Sequence, residues 1–312
     1  MSIRNDMFGW ASSNERSNTN PNRGERRPDA FVDRDDVRLA CYRDGDPERP
    51  TLVFVHGFPD TAAIWDPIIE ILANRYHCIR YDVRGAGQSD RPARTNAYRL
   101  DRLVGDLAAV LDWAAPGRSV HLIGHDWGSI QGWEAATEPT MAARIASFTT
   151  LSGPCLDHIG YRLRDRHFTP RARRRQARRS WYILLFHIPI VAPLVWRYGL
   201  APRWARIVAR LEGGVLPLAS TLRADGHHGI KLYRANIRPY LYRPRARRAV
   251  VPVHAVVARR DAFVGPALLD NLDAWVDDLC VDTIDAGHWA IATHAVEVAR
   301  LIERYLGRVV IR

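Results

Sequence analysis

The chain carries a single lysine, Lys231, four cysteines with no two close together, and no uninterrupted apolar run as long as a membrane span. Each shortage excludes something. Cys41, Cys78, Cys155 and Cys280 have no C-x-x-C spacing, so neither a zinc site nor a disulfide framework is suggested, and they read as buried thiols. No segment reaches the roughly 18 uninterrupted apolar residues of a membrane span. The polar N-terminus lacks the apolar core of a secretory signal, which predicts a cytoplasmic protein. There is no internal repeat and no G-x-G-x-x-G dinucleotide pattern. No metal or cofactor is expected.

With so little lysine, nearly all of the positive charge is arginine. Net charge is +11 and the sequence pI is about 10.0, a balance that raises nucleic acid or an acidic membrane as partners. A genome rich in G and C would produce the same arginine bias through codon usage alone. No nucleic-acid motif accompanies the basic residues, so nucleic acid is not expected. The charge is uneven, however: RLRDR and RARRRQARR crowd between Arg162 and Arg179. They form either a solvated helix face or a surface that touches lipid head groups. The apolar run WYILLFHIPIVAPLVW that follows either packs inside or lets this segment lie on a membrane.

The length of 312 residues with 47% hydrophobic content suits one large α/β domain or two small ones. Residues 1–28, rich in Ser, Asn and Arg, read as a disordered tail. Then FVDRDDV and RLACYRDG form an antiparallel start, TLVFVHG a buried strand, and residues 62–73 a helix. YHCIRYDV, SVHLIGHD and IASFTTLSG are further strands, separated by helices over YRLDRLVGDLAAVLDWAA and residues 128–138. The alternation predicts a mainly parallel sheet. It breaks over residues 154–248, a helix-like stretch with repeated prolines. It resumes with VPVHAVVARRD, a helix near residues 267–275, LCVDTIDAGH, and a final helix to about Leu306. One α/β sheet spanning residues 29–153 and 249–312, with a helical insertion, accounts for this more simply than two sequential domains.

Within SVHLIGHDWGSIQGW, Asp126 stands where an apolar strand gives way to glycines and then a helix. A helix N-cap explains a lone Asp in that place. It does not explain glycines on both sides, which suit a nucleophile elbow, a sharp strand-to-helix turn holding the central side chain in view.

The sequence resembles the α/β-hydrolase fold family and, within it, the epoxide hydrolases, over residues 30–306. The motifs are HGFPD (56–60), YDVRGAGQSDRP (81–92), GHDWGS (124–129), RRDAFVGP (259–266) and AGHW (286–289). The resemblance implies an α/β core with a helical cap over residues 154–248. It also implies a covalent route in which the Asp126 carboxylate, ionised at neutral pH, attacks a saturated carbon and forms an alkyl ester. A base must then activate water. The family's chain order gives this role to His288, oriented by an acid at the end of an earlier strand. Asp261 fits; Asp157 and Asp285 are the alternatives. His56 and His125 belong to the motifs around the site and are assigned to support, with His56, Pro59, His125 and Trp289 expected along the substrate space.

The family places two backbone N–H donors, here those of Phe58 and Trp127, on the oxygen that becomes negative during ester hydrolysis, and often a cis bond before Pro59. It also supplies two cap tyrosines that protonate the opening epoxide oxygen. SWYILLFHIP gives Tyr182, with Tyr198 as a substitute, and GIKLYRANI gives Tyr233. The expected partner is a small hydrophobic epoxide. A haloalkane dehalogenase shares the Asp elbow followed by Trp, but Phe58 stands where an Asn would commonly help to cradle halide. A non-catalytic lipid binder is the reading from another class.

Overall fold

The structure, a computed structural model, describes residues 26–310. Most of the expected tail lies outside the described residues. Arg26 departs from that expectation, because it donates to Asp44 and Asp29, each at 2.7 Å, and to the Arg43 carbonyl. A buried run such as TLVFV has no polar face to offer water, so it needs cover on both sides. It forms β3 (Thr51–Val55), in which every residue is buried. Around it an eight-stranded sheet runs in the order β1-β2-β4-β3-β5-β6-β7-β8. The strands are β1 (Ala30–Arg34), β2 (Val37–Asp44), β4 (His77–Tyr81), β5 (Val120–His125), β6 (Ile145–Leu151), β7 (Val253–Ala258) and β8 (Leu279–Ile284).

β2 is antiparallel to both neighbours, and from β4 onward every pairing is parallel. Parallel neighbours require crossover connections, and these bring helices to flank the sheet. The helix Leu100–Ala114 buries Leu103, Leu107, Val110, Leu111 and Ala114, the three- and four-residue spacing of one helical face. No helix of the described residues is long and apolar enough to cross a membrane.

Parallel strands all end on one side of the sheet, and there the loops build the site. The loop after β4 is held by two buried carboxylates. Asp82 accepts from the Tyr42 hydroxyl and from the backbone N–H groups of Ala62 and Gln88. Asp106 takes the Arg84 guanidinium with both oxygens, at 2.6 and 2.5 Å.

Between β6 and β7 runs a helical insertion that includes Leu156–Arg162, Pro170–Arg179, Trp181–Phe186, Trp204–Glu212 and the long helix Leu222–Tyr242. The long helix is tied to the core by polar side chains. Asp225 accepts from Gly87 N–H (3.0 Å) and Arg91 (3.2 Å). Asn236 accepts from Leu100 N–H at 2.9 Å and donates to the Tyr98 carbonyl at 2.8 Å, satisfying the first donor of the helix Leu100–Ala114.

The helix expected near residues 267–275 is instead two short turns, Pro266–Leu268 and Leu272–Ala274. Arg162 takes the Ala267 carbonyl (3.1 Å), the acceptor that a continuing helix would need. Asp273 folds its carboxylate onto Ala274 N–H, the local competition that disfavours Asp in helix interiors.

Candidate active site

The turn from β5 into the helix Trp127–Ala136 is so tight that Asp126 is held at φ 51°, ψ −120°, a region that non-glycine residues rarely enter. Gly124 permits the turn: a Cβ there would meet the Gly128 carbonyl and the Ser129 Cα at 2.7 Å. The Asp126 side chain does not cap its helix. It turns outward and stands 13% exposed, reachable but largely removed from water.

Its two oxygens have different surroundings. Oδ1 accepts from Phe58 N–H at 2.7 Å, and the neighbouring Trp127 N–H helps to stabilise the carboxylate's charge. Oδ2 faces His288 Nε2 at 3.7 Å, within ion-pair range but too far for a hydrogen bond. Burial lifts the Asp126 pKa to about 6, against the opposing pull of the His288 cation and the two N–H groups. Ser129, three residues on, is occupied elsewhere: its hydroxyl donates to the Gly124 carbonyl at 2.6 Å and accepts from Leu151 N–H.

His288 sits in the loop after β8, and its Nδ1 lies 2.9 Å from Asp261 Oδ2. Asp261 follows β7, and its other oxygen accepts from the N–H groups of Phe263 and Val264 at 2.7 and 2.9 Å. Burial would raise the Asp261 pKa, but His288 and these donors hold it below the usual carboxylate range. Burial likewise opposes the His288 cation, yet Asp261, Asp126 and Asp60 together carry its pKa up to about 9. The alternative acids are engaged elsewhere. Asp285 pairs with Arg260 on the surface, and buried Asp157 binds Arg245.

The insertion brings Tyr182 and Tyr233 over this set. Their rings lie edge to face at 5.8 Å, with the hydroxyls close enough to influence each other's ionisation. Burial raises both phenol pKa values, and the Asp126 charge raises them further, so both keep their protons. Tyr233 packs edge to face on Trp127 and Phe58, at 4.9 and 5.4 Å, while Phe186 and Phe263 complete the wall beside Tyr182. Tyr198 is exposed, with Arg197 over its ring, and takes no part.

His56 and His125 hold the loops around the site together. His56 Nε2 accepts from Val83 N–H, while its Nδ1 side meets the Gly57 carbonyl. His125 Nε2 reaches the His288 carbonyl at 2.9 Å and so ties the elbow to the histidine loop. Burial lowers the pKa of both, His125 to about 3, so both are neutral. Pro59 follows a cis bond and, with His56, lines a space of about 20 Å³, room for about one water. Trp289 is buried against the His288 ring.

Three contacts were missed at the sequence level. The Trp289 indole donates to Asp60 at 2.9 Å, and burial lifts the Asp60 pKa to about 7. Glu212, at the end of an insertion helix, packs its carboxylate against the histidine loop, where a Cβ on Gly287 would meet both of its oxygens. Gln176 accepts from Gly265 N–H and donates to the Phe263 carbonyl, joining the insertion to the Asp261 loop. Only Asp60 had a signal, as the last residue of HGFPD. Among the described residues one trio has metal-ligand spacing, His254, Cys280 and Asp282. It lies near the opposite end of β7 from Asp261, and Asp282 is already paired with Arg304.

Comparison with known proteins adds three likenesses and a family match. A family model described as alpha/beta hydrolase fold matches residues 50–179. The chain is 37% identical over 286 residues to the Mycobacterium tuberculosis protein named probable oxidoreductase EphD, covering 87% of this chain and 48% of that one. It is 35% identical over 189 residues to Epoxide hydrolase A of the same organism, covering 60% of this chain and 55% of the other. This chain thus spans about half the length of the curated relatives it matches. A solved structure described among novel epoxide hydrolases of the alpha/beta hydrolases superfamily, from metagenomes of hot environments, is 26% identical with a TM-score of 0.74, covering 89% of this chain and 97% of that one.

Proposed function

The chain has the α/β-hydrolase fold, and from that premise we propose that it is an epoxide hydrolase, converting a hydrophobic epoxide to a vicinal diol through an ester on Asp126. The observation that carries this reading is the asymmetry of the Asp126 carboxylate. Oδ1 accepts from the Phe58 N–H while Oδ2 makes no hydrogen bond and faces His288, with two protonated tyrosines near the carboxylate. Oδ2 attacks one ring carbon, the C–O bond breaks, and the departing oxygen takes a proton from Tyr182 or Tyr233.

Esterification removes the Asp126 charge. His288 then loses one of the carboxylates that sustain its cation and gives up its proton, which balances the one the tyrosine lost. The neutral imidazole next takes a proton from water, and the resulting hydroxide attacks Cγ. The charge that develops on Oδ1 is stabilised by the Phe58 and Trp127 N–H groups. When the Cγ–Oδ2 bond breaks, Oδ2 leaves in the diol with the second proton of the attacking water, and the water oxygen stays on Asp126, which is again a carboxylate. The insertion acts as the cap, and its aromatic wall favours apolar substrates.

The relative named oxidoreductase is a longer protein of which this chain matches 48%. The reading proposed here rests on the Asp126 set. It is tested by offering aryl, terminal and long-chain epoxides beside chlorinated and brominated alkanes. Diol without halide release is expected; halide release without diol would identify a dehalogenase instead.

The reaction also has an expected pH dependence. Alkylation needs the Asp126 carboxylate, so single-turnover ester formation should fall as the pH drops below about 6. In His288→Gln the cation that lowers the Asp126 pKa is gone, so the fall should begin at higher pH. Rapid-quench measurement of ester formation in both proteins checks this. The same limb in both would remove His288 from contact with the nucleophile.

A further inference from the structure

Over residues 166–211 the chain has eleven arginines and no aspartate or glutamate. Eight of the fourteen large apolar side chains exposed among the described residues fall in the same stretch. Charge of one sign and exposed aliphatic groups are therefore concentrated together, on consecutive elements of the insertion. The helix Pro170–Arg179 buries none of its residues. In the next helix, Trp181–Phe186, Tyr182 and Phe186 face the candidate site, while Trp181 and Leu184 stand 60% and 76% exposed. Ile190 follows, 75% exposed and held at φ 67°, a conformation that β-branched residues rarely adopt. In water that strained, exposed isoleucine gains nothing.

We propose that this face docks on an anionic phospholipid bilayer. The arginines meet the lipid phosphates, and Trp181, Leu184, Ile188 and Ile190 enter the boundary between head groups and acyl chains. A cavity of about 200 Å³ at the Arg-rich helix is lined by Arg175, Arg179 and Arg259 and by no carboxylate, which suits one phosphate head group. A second copy of the chain fits less well, because a two-fold contact through this face would set arginine against arginine. Nucleic acid would leave the exposed aliphatic groups unused. If the epoxide hydrolase reading holds, the helix Trp181–Phe186, with one side on lipid and the other on the site, passes bilayer-dissolved epoxides inward.

The test is flotation of the full chain with vesicles of phosphatidylcholine alone or mixed equally with phosphatidylglycerol. Binding to the anionic vesicles only, weakened by salt, is expected. Arg174→Gln/Arg175→Gln/Arg178→Gln should lower the affinity about 100-fold, from the typical contribution of a basic residue near an anionic surface. Leu184→Ser/Ile190→Ser should abolish the binding that survives high salt. These positions are exposed, and unchanged thermal melting by circular dichroism verifies folding without reference to any enzymatic activity. Absence of flotation, or equal flotation of the triple arginine variant, overturns the proposal. So does a wild-type dimer that Leu184→Ser/Ile190→Ser converts to a monomer while neither protein floats.

Discussion

Mixed with an excess of epoxide, His288→Gln should accumulate a covalent adduct on Asp126, seen as a mass increase of one substrate on the peptide containing GHDWGS. The argument is one of sequence in time. The first bond is formed by a carboxylate that needs no base, so glutamine at 288 leaves that step open. The second step needs an imidazole to take a proton from water, and glutamine cannot do so. Asp126→Ala fails earlier, with no adduct and a turnover loss on the order of 10⁶-fold, the scale seen when a covalent nucleophile is removed. A single turnover of the wild-type protein in ¹⁸O-water should put the label on Asp126 and leave the diol unlabelled. An adduct on Ser129, or label in the diol, would sink the two-step route. The Ser129 hydroxyl is already engaged with Gly124 and Leu151, so an adduct there would need the elbow to rearrange.

The second large effect concerns Tyr182 and Tyr233. The two rings pack edge to face, so either hydroxyl can donate to the opening ring while the other supports it. Each single Phe variant should therefore retain measurable alkylation. The double variant Tyr182→Phe/Tyr233→Phe should lose about 10²–10⁴-fold in the ester-forming step, the usual contribution of a general acid. Folding should survive, because the edge-to-face contacts with Trp127, Phe58 and Phe186 use the rings, not the hydroxyls. Single-turnover alkylation by styrene oxide is the measurement. Wild-type rates in the double variant would make both tyrosines packing residues and return the dehalogenase reading to equal standing.

Much of this architecture was legible in the sequence, for a physical reason. The strand alternation of an α/β sheet is written in local apolar runs, and Asp126, Asp261 and His288 stand one, three and four residues after the strands such runs form. What failed was decided by partners far away in the chain. Nothing local to residues 267–275 reveals that Arg162 will take the Ala267 carbonyl and stop a helix. Nothing in GHDWG tells that His125 will meet the His288 carbonyl, 163 residues on. Glu212 and Gln176 read as ordinary polar residues of surface helices. Their roles arise only because the insertion folds back on the loops behind β7 and β8.

The aromatic wall has a consequence for how the molecule comes apart. Phe186, Trp196 and Tyr233 of the insertion and Phe58 and Trp127 of the core belong to one buried cluster that continues into β3 and β5. Along it the aromatic rings of the two parts touch directly, Phe58 on Phe186, Trp196 and Tyr233, and Trp127 on Tyr233. The insertion therefore has little apolar interior that is separate from the sheet's, and peeling it away would strip cover from the sheet as well. Residues 26–310 should lose secondary structure and tryptophan burial at the same urea concentration, in a single transition. The cap, in this sense, is not a lid resting on a finished body but the last side of one common core.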